Sequence, residues 1–229
     1  MSDLGFYDAH LHNRGMEAGG FLIGLEGSPW FDGILHNGEV EQLADGLPNY
    51  QHFRYLSSDM LFREQGWRLG QRKCLKYHPR RENYSPKEVV ESIRVQRPNV
   101  VMIDTLNEPF WTPYDYWGVC REFPEIKFIL PHAGGYSVGE FIKICHFQKN
   151  VWMDFSLTHT YFGGISANPL PVVDEAIKYS LSAAFCERVL LGSDLPFFDQ
   201  TQVVSFYGRL GKLEMLNSNF ERLMDAIQS

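Results

Sequence analysis

The sequence predicts a single α/β domain, a compact (β/α)8 TIM barrel over residues 1–229. Three observations lead there. Short β-rich apolar runs alternate with helical stretches from end to end, the alternation that builds right-handed βαβ units and a parallel sheet. Several runs are apolar at every position, as in Val100-Val101-Met102-Ile103 and Phe128-Ile129-Leu130; strands covered on both faces read this way. Ionisable residues close five of the eight runs at one end, where such barrels build their sites, and not in mid-strand, where burial without a partner is costly.

The eight candidate strands are 6–12, 21–26, 52–57, 73–78, 100–105, 127–132, 151–156 and 189–194. Helix starts are legible. Ser85-Pro86-Lys87-Glu88 combines a capping box with proline at the first helical position. Ser137-Val138-Gly139-Glu140 has the same box pattern, Thr112-Pro113 opens a third helix, and Asp199-Gln200-Thr201-Gln202 a fourth. Pro169 and Pro171 precede a helix over about 172–185. The early helices, within 13–60, read as short or irregular. Segments 27–38 and 161–171 are rich in Gly, Pro and aromatic residues and follow candidate strands, so both are expected to be loops over the site.

At 229 residues the chain is slightly short of the roughly 250 typical of a full barrel, and no linker divides it. A net charge of −7 argues against nucleic acid, whose phosphates need a basic footprint. The N-terminus lacks the basic and apolar regions of a signal peptide, and no apolar run approaches the ~18 residues of a membrane helix. Cys74, Cys120, Cys145 and Cys186 are scattered and read as reduced thiols, so a cytoplasmic location is expected. The aromatic residues of 111–117 suit either a homodimer interface or a helix packed on the barrel.

The chemistry concentrates at strand ends. The first run ends in Asp8-Ala9-His10-Leu11-His12; residues i and i+2 of a strand share a side, so His10 and His12 can share one cation, at about 2.0–2.1 Å for zinc. Lys76 and His78 end the fourth run on one side. Asp104 closes the fifth, His132 the sixth and Asp194 the eighth. Arg80 and Arg81 follow His78 and suit a substrate carboxylate or phosphate, held by bidentate hydrogen bonds, as well as they suit a solvated basic turn. Lone strand-end histidines are more often structural than ligating, and His36, His52, His146 and His159 are read so. Tyr7, Tyr77 and Trp111 are read as core aromatics.

Four motifs resemble the amidohydrolase superfamily, in its amidohydrolase-2 branch of hydrolases, decarboxylases and lactonases. They are Asp8-Ala9-His10-Leu11-His12, Lys76-Tyr77-His78-Pro79, Leu130-Pro131-His132-Ala133-Gly134-Gly135 and Leu191-Gly192-Ser193-Asp194-Leu195-Pro196-Phe197. They occur in the family's order across nearly the whole chain. The resemblance implies that His10, His12 and Asp194 ligate a divalent metal, zinc or alternatively manganese, and that His132 lies in the site as a further ligand or a charge-stabilising group. Many relatives place a histidine ligand after strand five, where this sequence has Asp104; either Asp104 ligates in its place, the preferred reading, or His78 does, oriented by Asp104. The implied reaction is metal-dependent hydrolysis of a small anionic amide, ester or lactone. In it Asp194 handles protons, and His132 or Lys76 stabilises the oxyanion. Non-oxidative decarboxylation of an unsaturated or aromatic acid, metal-free lactone hydrolysis and a non-catalytic binding barrel are the alternatives.

Overall fold

The computed structural model describes residues 5–26, 34–63, 66, 72–106 and 111–228, with Gln228 in backbone only. Eight strands form one parallel sheet in chain order: β1 (Tyr7–Leu11), β2 (Gly19–Ile23), β3 (Tyr50–Tyr55), β4 (Cys74–Tyr77), β5 (Val100–Ile103), β6 (Lys127–Leu130), β7 (Val151–Asp154) and β8 (Val189–Leu190). Past β8 the chain runs back along β1, and bonds from Ala9 N to Leu191 O (2.7 Å), Asp194 N to His10 O (2.8 Å) and His12 N to Leu195 O (2.7 Å) join the two edges. Among the described residues the helices are α1 (Asn37–Asp45), α2 (Pro79–Glu82), α3 (Pro86–Gln96), α4 (Pro113–Glu122), α5 (Val138–Phe147), α6 (Thr158–Tyr161), α7 (Pro171–Ser180), α8 (Gln200–Arg209) and α9 (Leu213–Gln228). The predicted α/β barrel is the observed fold.

All eight strands occur where the sequence placed them, with displaced ends. Strands β2 and β3 each begin two residues early, and β8 ends four residues early, at Leu190. A Cβ on Gly20 would collide with the Asp8 carbonyl and one on Gly19 with that of Asn49. Glycine is placed there because neighbouring backbones approach closely. No helix joins β1 to β2, and residues 27–33 of the 27–38 loop lie outside the described residues.

Helix starts follow their signals with one exception. Ser85 and Glu88 form the reciprocal capping box of α3, Thr112 and Asp115 that of α4, and Asp199 accepts from Thr201 N at α8. Ser137 forms no box: α5 emerges directly from a tight 3-10 segment over Pro131–Ser137, and the cap backbone (φ −87°, ψ 17°) is not the extended form a box requires. Helix α7 ends at Ser180, five residues earlier than expected.

Helix α9 had no counterpart in the sequence reading. It closes the N-terminal end of the barrel, where Phe220, Leu223 and Ile227 join Ala9, Phe21, Ile23, Phe53, Met102 and Ile129 in the interior cluster. Phe220 stacks on Tyr7 at 4.9 Å and meets Phe21 at 4.7 Å. Tyr77 and Trp111 are likewise core residues, bonded to Ser92 Oγ and Tyr84 O. Truncating a buried aromatic costs about 3–5 kcal/mol. Phe220→Ala is therefore expected to lower stability by that order in denaturant unfolding; a change below about 1 kcal/mol would mean that α9 does not seal the barrel.

Candidate active site

The ionisable groups expected at the ends of β1, β4, β5, β6 and β8 line the C-terminal mouth of the barrel. On β1 this takes a bulge. Asp8 pairs with Gly20 but Leu11 with Leu22, so β1 holds one residue more than its partner between them. Bulges re-aim side chains: Ala9 stays in the interior cluster while His10 and His12 reach the mouth. The Asp8 carboxylate fixes this crossing, accepting from His10 N (3.0 Å), Ser193 N (3.0 Å) and Gln200 Nε2 (2.8 Å). Burial nevertheless raises its pKa to about 7.

Backbone strain marks the same region. His132, Ala133, Leu157 and Asp194 all have positive φ (65°, 43°, 31° and 62°), an arrangement that non-glycine residues rarely adopt and that gathers at functional sites. Each lies just past β6, β7 or β8. Gly134 also has positive φ, and a Cβ there would run into the Phe141 ring.

The cavity at the mouth measures about 260 Å³, at the small end of ligand sites. His10, His12, Lys76, His78, Arg80, Asp104, His132 and Asp194 all line it, with Leu25, Leu157, Tyr161, Phe197 and Phe198 as its apolar wall. Tyr161 opens the 161–171 segment, in agreement with a loop at the site. His36, His52, His146 and His159 are not among the lining residues.

Two clusters share this cavity. In the first, His10 Nε2 and His12 Nε2 each stand 3.4 Å from Asp194 Oδ1, and all three donors fall within 4.8 Å of one another. The far side of each ring is already committed, His10 Nδ1 to Ser156 Oγ (3.1 Å) and His12 Nδ1 to Ile23 O (3.0 Å). A carbonyl only accepts, so His12 Nδ1 carries hydrogen and, in the neutral ring, Nε2 turns a lone pair toward a carboxylate. Burial above all pushes His10 well below the ordinary imidazole value. Asp194 is held below the usual carboxylate range: burial opposes the anion, but His10, His12 and His132 outweigh it. Bare nitrogens converging on a carboxylate are favourable only around a positive charge, and a two-histidine, one-carboxylate donor set with its outer nitrogens anchored is what zinc or manganese accepts. These residues fit a divalent ion.

The second cluster centres on Asp104. Its Oδ2 is 3.0 Å from His132 Nε2, 3.5 Å from His78 Nε2 and 4.0 Å from Lys76 Nζ, and its Oδ1 is 3.8 Å from Arg80 Nη2. Burial again opposes the charge, but His78, His132 and Lys76 hold the Asp104 carboxyl well below its ordinary range. Asp104 raises the pKa of His132 against the effect of burial, whereas burial drives His78 down to about 3 and also lowers Lys76. Neither Asp104 nor His78 belongs to the compact donor groups. The Asp104 carboxylate faces four nitrogen groups, with His78 at 3.5 Å.

Arg81 is placed differently from Arg80. It is absent from the cavity lining; Nη2 donates to Glu26 O (2.6 Å) and the guanidinium lies over the Tyr55 ring. Two residues went unnoticed in the sequence. Asp154, ending β7, is fully buried and groups with His10 and His132, and Ser156 bonds both those rings. Their signal was available, because Asp154 ends an apolar run as Asp104 does.

A closed parallel barrel with ionisable side chains on six of its strand ends defines the TIM-barrel enzymes as a class. The amidohydrolase family model matches residues 96–215, just over half of the chain, and the chain belongs to that family, in its amidohydrolase-2 branch. The matched segment contains Asp104, His132, Asp154 and Asp194, while the His10–His12 pair precedes it. Curated proteins yield no match. Among solved structures, a probable 2-pyrone-4,6-dicarboxylic acid hydrolase from Acinetobacter baumannii, with citric acid bound, shares 12% identity over 94% of this chain and 97% of its own (TM-score 0.60). Amidohydrolase 2 from Bifidobacterium longum subsp. infantis shares 15% over 98% of both chains (0.51), and an uncharacterised TIM-barrel protein from Bordetella bronchiseptica 14% over 92% and 78% (0.57). At these identities the likeness establishes the common barrel. No helix among the described residues is long and apolar enough to cross a membrane.

Proposed function

We propose that this protein is a metal-dependent hydrolase acting on a small anionic amide, ester or lactone. The observation that carries the reading is the convergence of His10 Nε2, His12 Nε2 and Asp194 Oδ1 at the mouth of the barrel, with both outer nitrogens anchored. Zinc is the expected ion, with manganese as the alternative. When bound it would supply Lewis acidity and lower the pKa of water toward about 7.

The chain's own residues provide the rest. Asp194, kept ionised by the imidazoles around it, accepts the proton of the attacking water and returns it to the leaving group. His132, whose pKa the Asp104 contact raises, faces the cavity as the N–H group on which a developing oxyanion is stabilised. Lys76 is 1% exposed, and its Nζ has no hydrogen-bond partner among the described residues; it adds a positive charge on that side. Phe197 stands edge-on to His12 at 5.6 Å and, with Phe198 and Leu25, keeps water from one wall. Arg80 stands at the entrance, 42% exposed, where a substrate carboxylate would meet it. The similar Acinetobacter barrel is named for a dicarboxylic acid, the same charge class.

Metal analysis of protein purified without chelators tests the reading: about one equivalent of zinc or manganese is expected, and none, even after soaking, would overturn it. The two arginines give a separate check. Arg80→Ala is expected to raise KM for an anionic substrate about tenfold, the loss of roughly one charge-assisted contact, with little change in melting temperature. Arg81→Ala should leave KM unchanged. Equal effects would remove Arg80 from the substrate site.

A further inference from the structure

Three polar groups meet at one hydroxyl beneath the donor set. Ser156 Oγ lies 3.1 Å from His10 Nδ1 and 2.9 Å from His132 Nδ1, and it donates a short hydrogen bond to Asp154 Oδ1. A serine hydroxyl has one proton and two lone pairs. With the proton directed at the carboxylate, both imidazoles must approach Ser156 Oγ as donors, and each Nδ1 carries hydrogen. The consequences appear on the opposite edges of the rings. The neutral ring of His10 is left with a bare Nε2 facing Asp194, whereas His132, whose Nε2 meets the carboxylate of Asp104 at 3.0 Å, donates from both nitrogens.

Asp154 does not orient the histidines directly. Its Oδ1 already accepts from Ser156 N (2.8 Å) and His132 N (3.3 Å), which clamp the carboxylate at the end of β7. Its Oδ2 has no hydrogen-bond partner among the described residues and stands 3.9 Å from His10 Nδ1, too far for a hydrogen bond. The serine spans that gap and divides one carboxylate's influence between two rings. His12 needs no such device, because the carbonyl of Ile23 orients it.

We propose that Ser156, held by Asp154, is a positioning residue that sets the proton placement on both His10 and His132. The same hydroxyl leaves Nε2 of His10 bare for a cation and takes up the Nδ1–H of His132, whose Nε2–H is held by Asp104. Groups that orient ligating histidines in this way are worth about 10–100-fold in metal affinity. The metal-affinity consequence rests on the proposed function; the proton placement does not.

The test uses full-length protein labelled with 15N-histidine and stripped of metal. Two-bond nitrogen–proton NMR correlations distinguish the two neutral imidazole tautomers, with His10 and His132 assigned through His10→Gln and His132→Gln. Co2+ binding is followed separately by visible absorption. The expected wild-type result is His10 as the Nδ1–H tautomer. In Ser156→Ala, His10 should populate the Nε2–H form and Co2+ affinity should fall about 10–100-fold, with Ser156→Thr, which keeps the hydroxyl, restoring both. An Nε2–H His10 in the wild type overturns the proposal. So does a folded Ser156→Ala with unchanged tautomer and unchanged Co2+ affinity. If Ser156→Ala does not fold, the wild-type spectrum decides alone. A wild type with the expected tautomer shift but no Co2+ uptake overturns the metal reading and leaves the role of Ser156 standing; Co2+ uptake with an Nε2–H His10 does the reverse.

Discussion

Replacing His12 with alanine is expected to empty the metal site and to reduce turnover by at least about 10³-fold. The scale follows from comparison. Groups that merely orient a ligand are worth about 10–100-fold, and His12 supplies one of three donors lying within 4.8 Å of one another. The two that remain, His10 and Asp194, hold a hydrated ion without defining its geometry. The fold should survive. His12 lies past the end of β1, and its side chain bonds the backbone carbonyl of Ile23, a contact worth about 1 kcal/mol. Metal content by mass spectrometry, circular dichroism and turnover, measured on the same preparation, check this. Full metal occupancy in His12→Ala would move the ion elsewhere. Activity retained in metal-free protein would favour lactone hydrolysis without metal.

The second large effect is expected at Asp104. Four nitrogen groups surround its carboxylate, from His132 at 3.0 Å to Lys76 at 4.0 Å. Removing one side of a buried ionic cluster costs about 3–5 kcal/mol, because the charges left behind have no compensation. Asp104→Leu is therefore expected to lose stability of that order, whereas Asp104→Asn, which keeps an oxygen near His132, should lose less. The pH dependence has a definite sign. Asp104 is held well below its ordinary value in the folded state, and an unfolded aspartate titrates near pH ~3.9. Its stabilisation is thus fully present above about pH 4 to 5 and lost as pH falls through the folded pKa. Denaturant titrations should show the wild-type advantage over Asp104→Leu shrinking on acidification below about pH 4. An advantage that stayed constant from pH 7 to pH 3 would mean that the Asp104 charge does not stabilise the fold.

The strands were the most legible part of the chain, for a physical reason. A parallel strand covered on both faces must be apolar at every position, so the runs in β5 and β6 announce themselves, and so do the polar residues that end them. His10, His12, Asp104, His132 and Asp194 were recognisable because an ionisable side chain directly after such a run has the cavity mouth as its outlet. Asp154 carried the same signal and was passed over. Capping serines proved less certain. Ser85 caps α3 with its side chain, but Ser137 does not cap α5 because the preceding 3-10 turn holds its backbone out of the extended form. Helix α9 escaped the reading although its apolar face spans the barrel floor.

By itself, the sequence determined the order of the strands, the parallel barrel and most of the ionisable side chains at its mouth, since hydrophobic pattern and chain direction are local properties that a strand carries with it. Only the tertiary structure decided how those side chains divide between two clusters. His78 and Arg80 follow one strand, Asp104 another and His132 a third, and sequence spacing holds no information on distances across a barrel. The bulge in β1, the strained turn at His132 and the closure of β8 on β1 set those distances. They place Asp104 among cations and leave His10, His12 and Asp194 together, because charge complementarity acts through space and not along the chain.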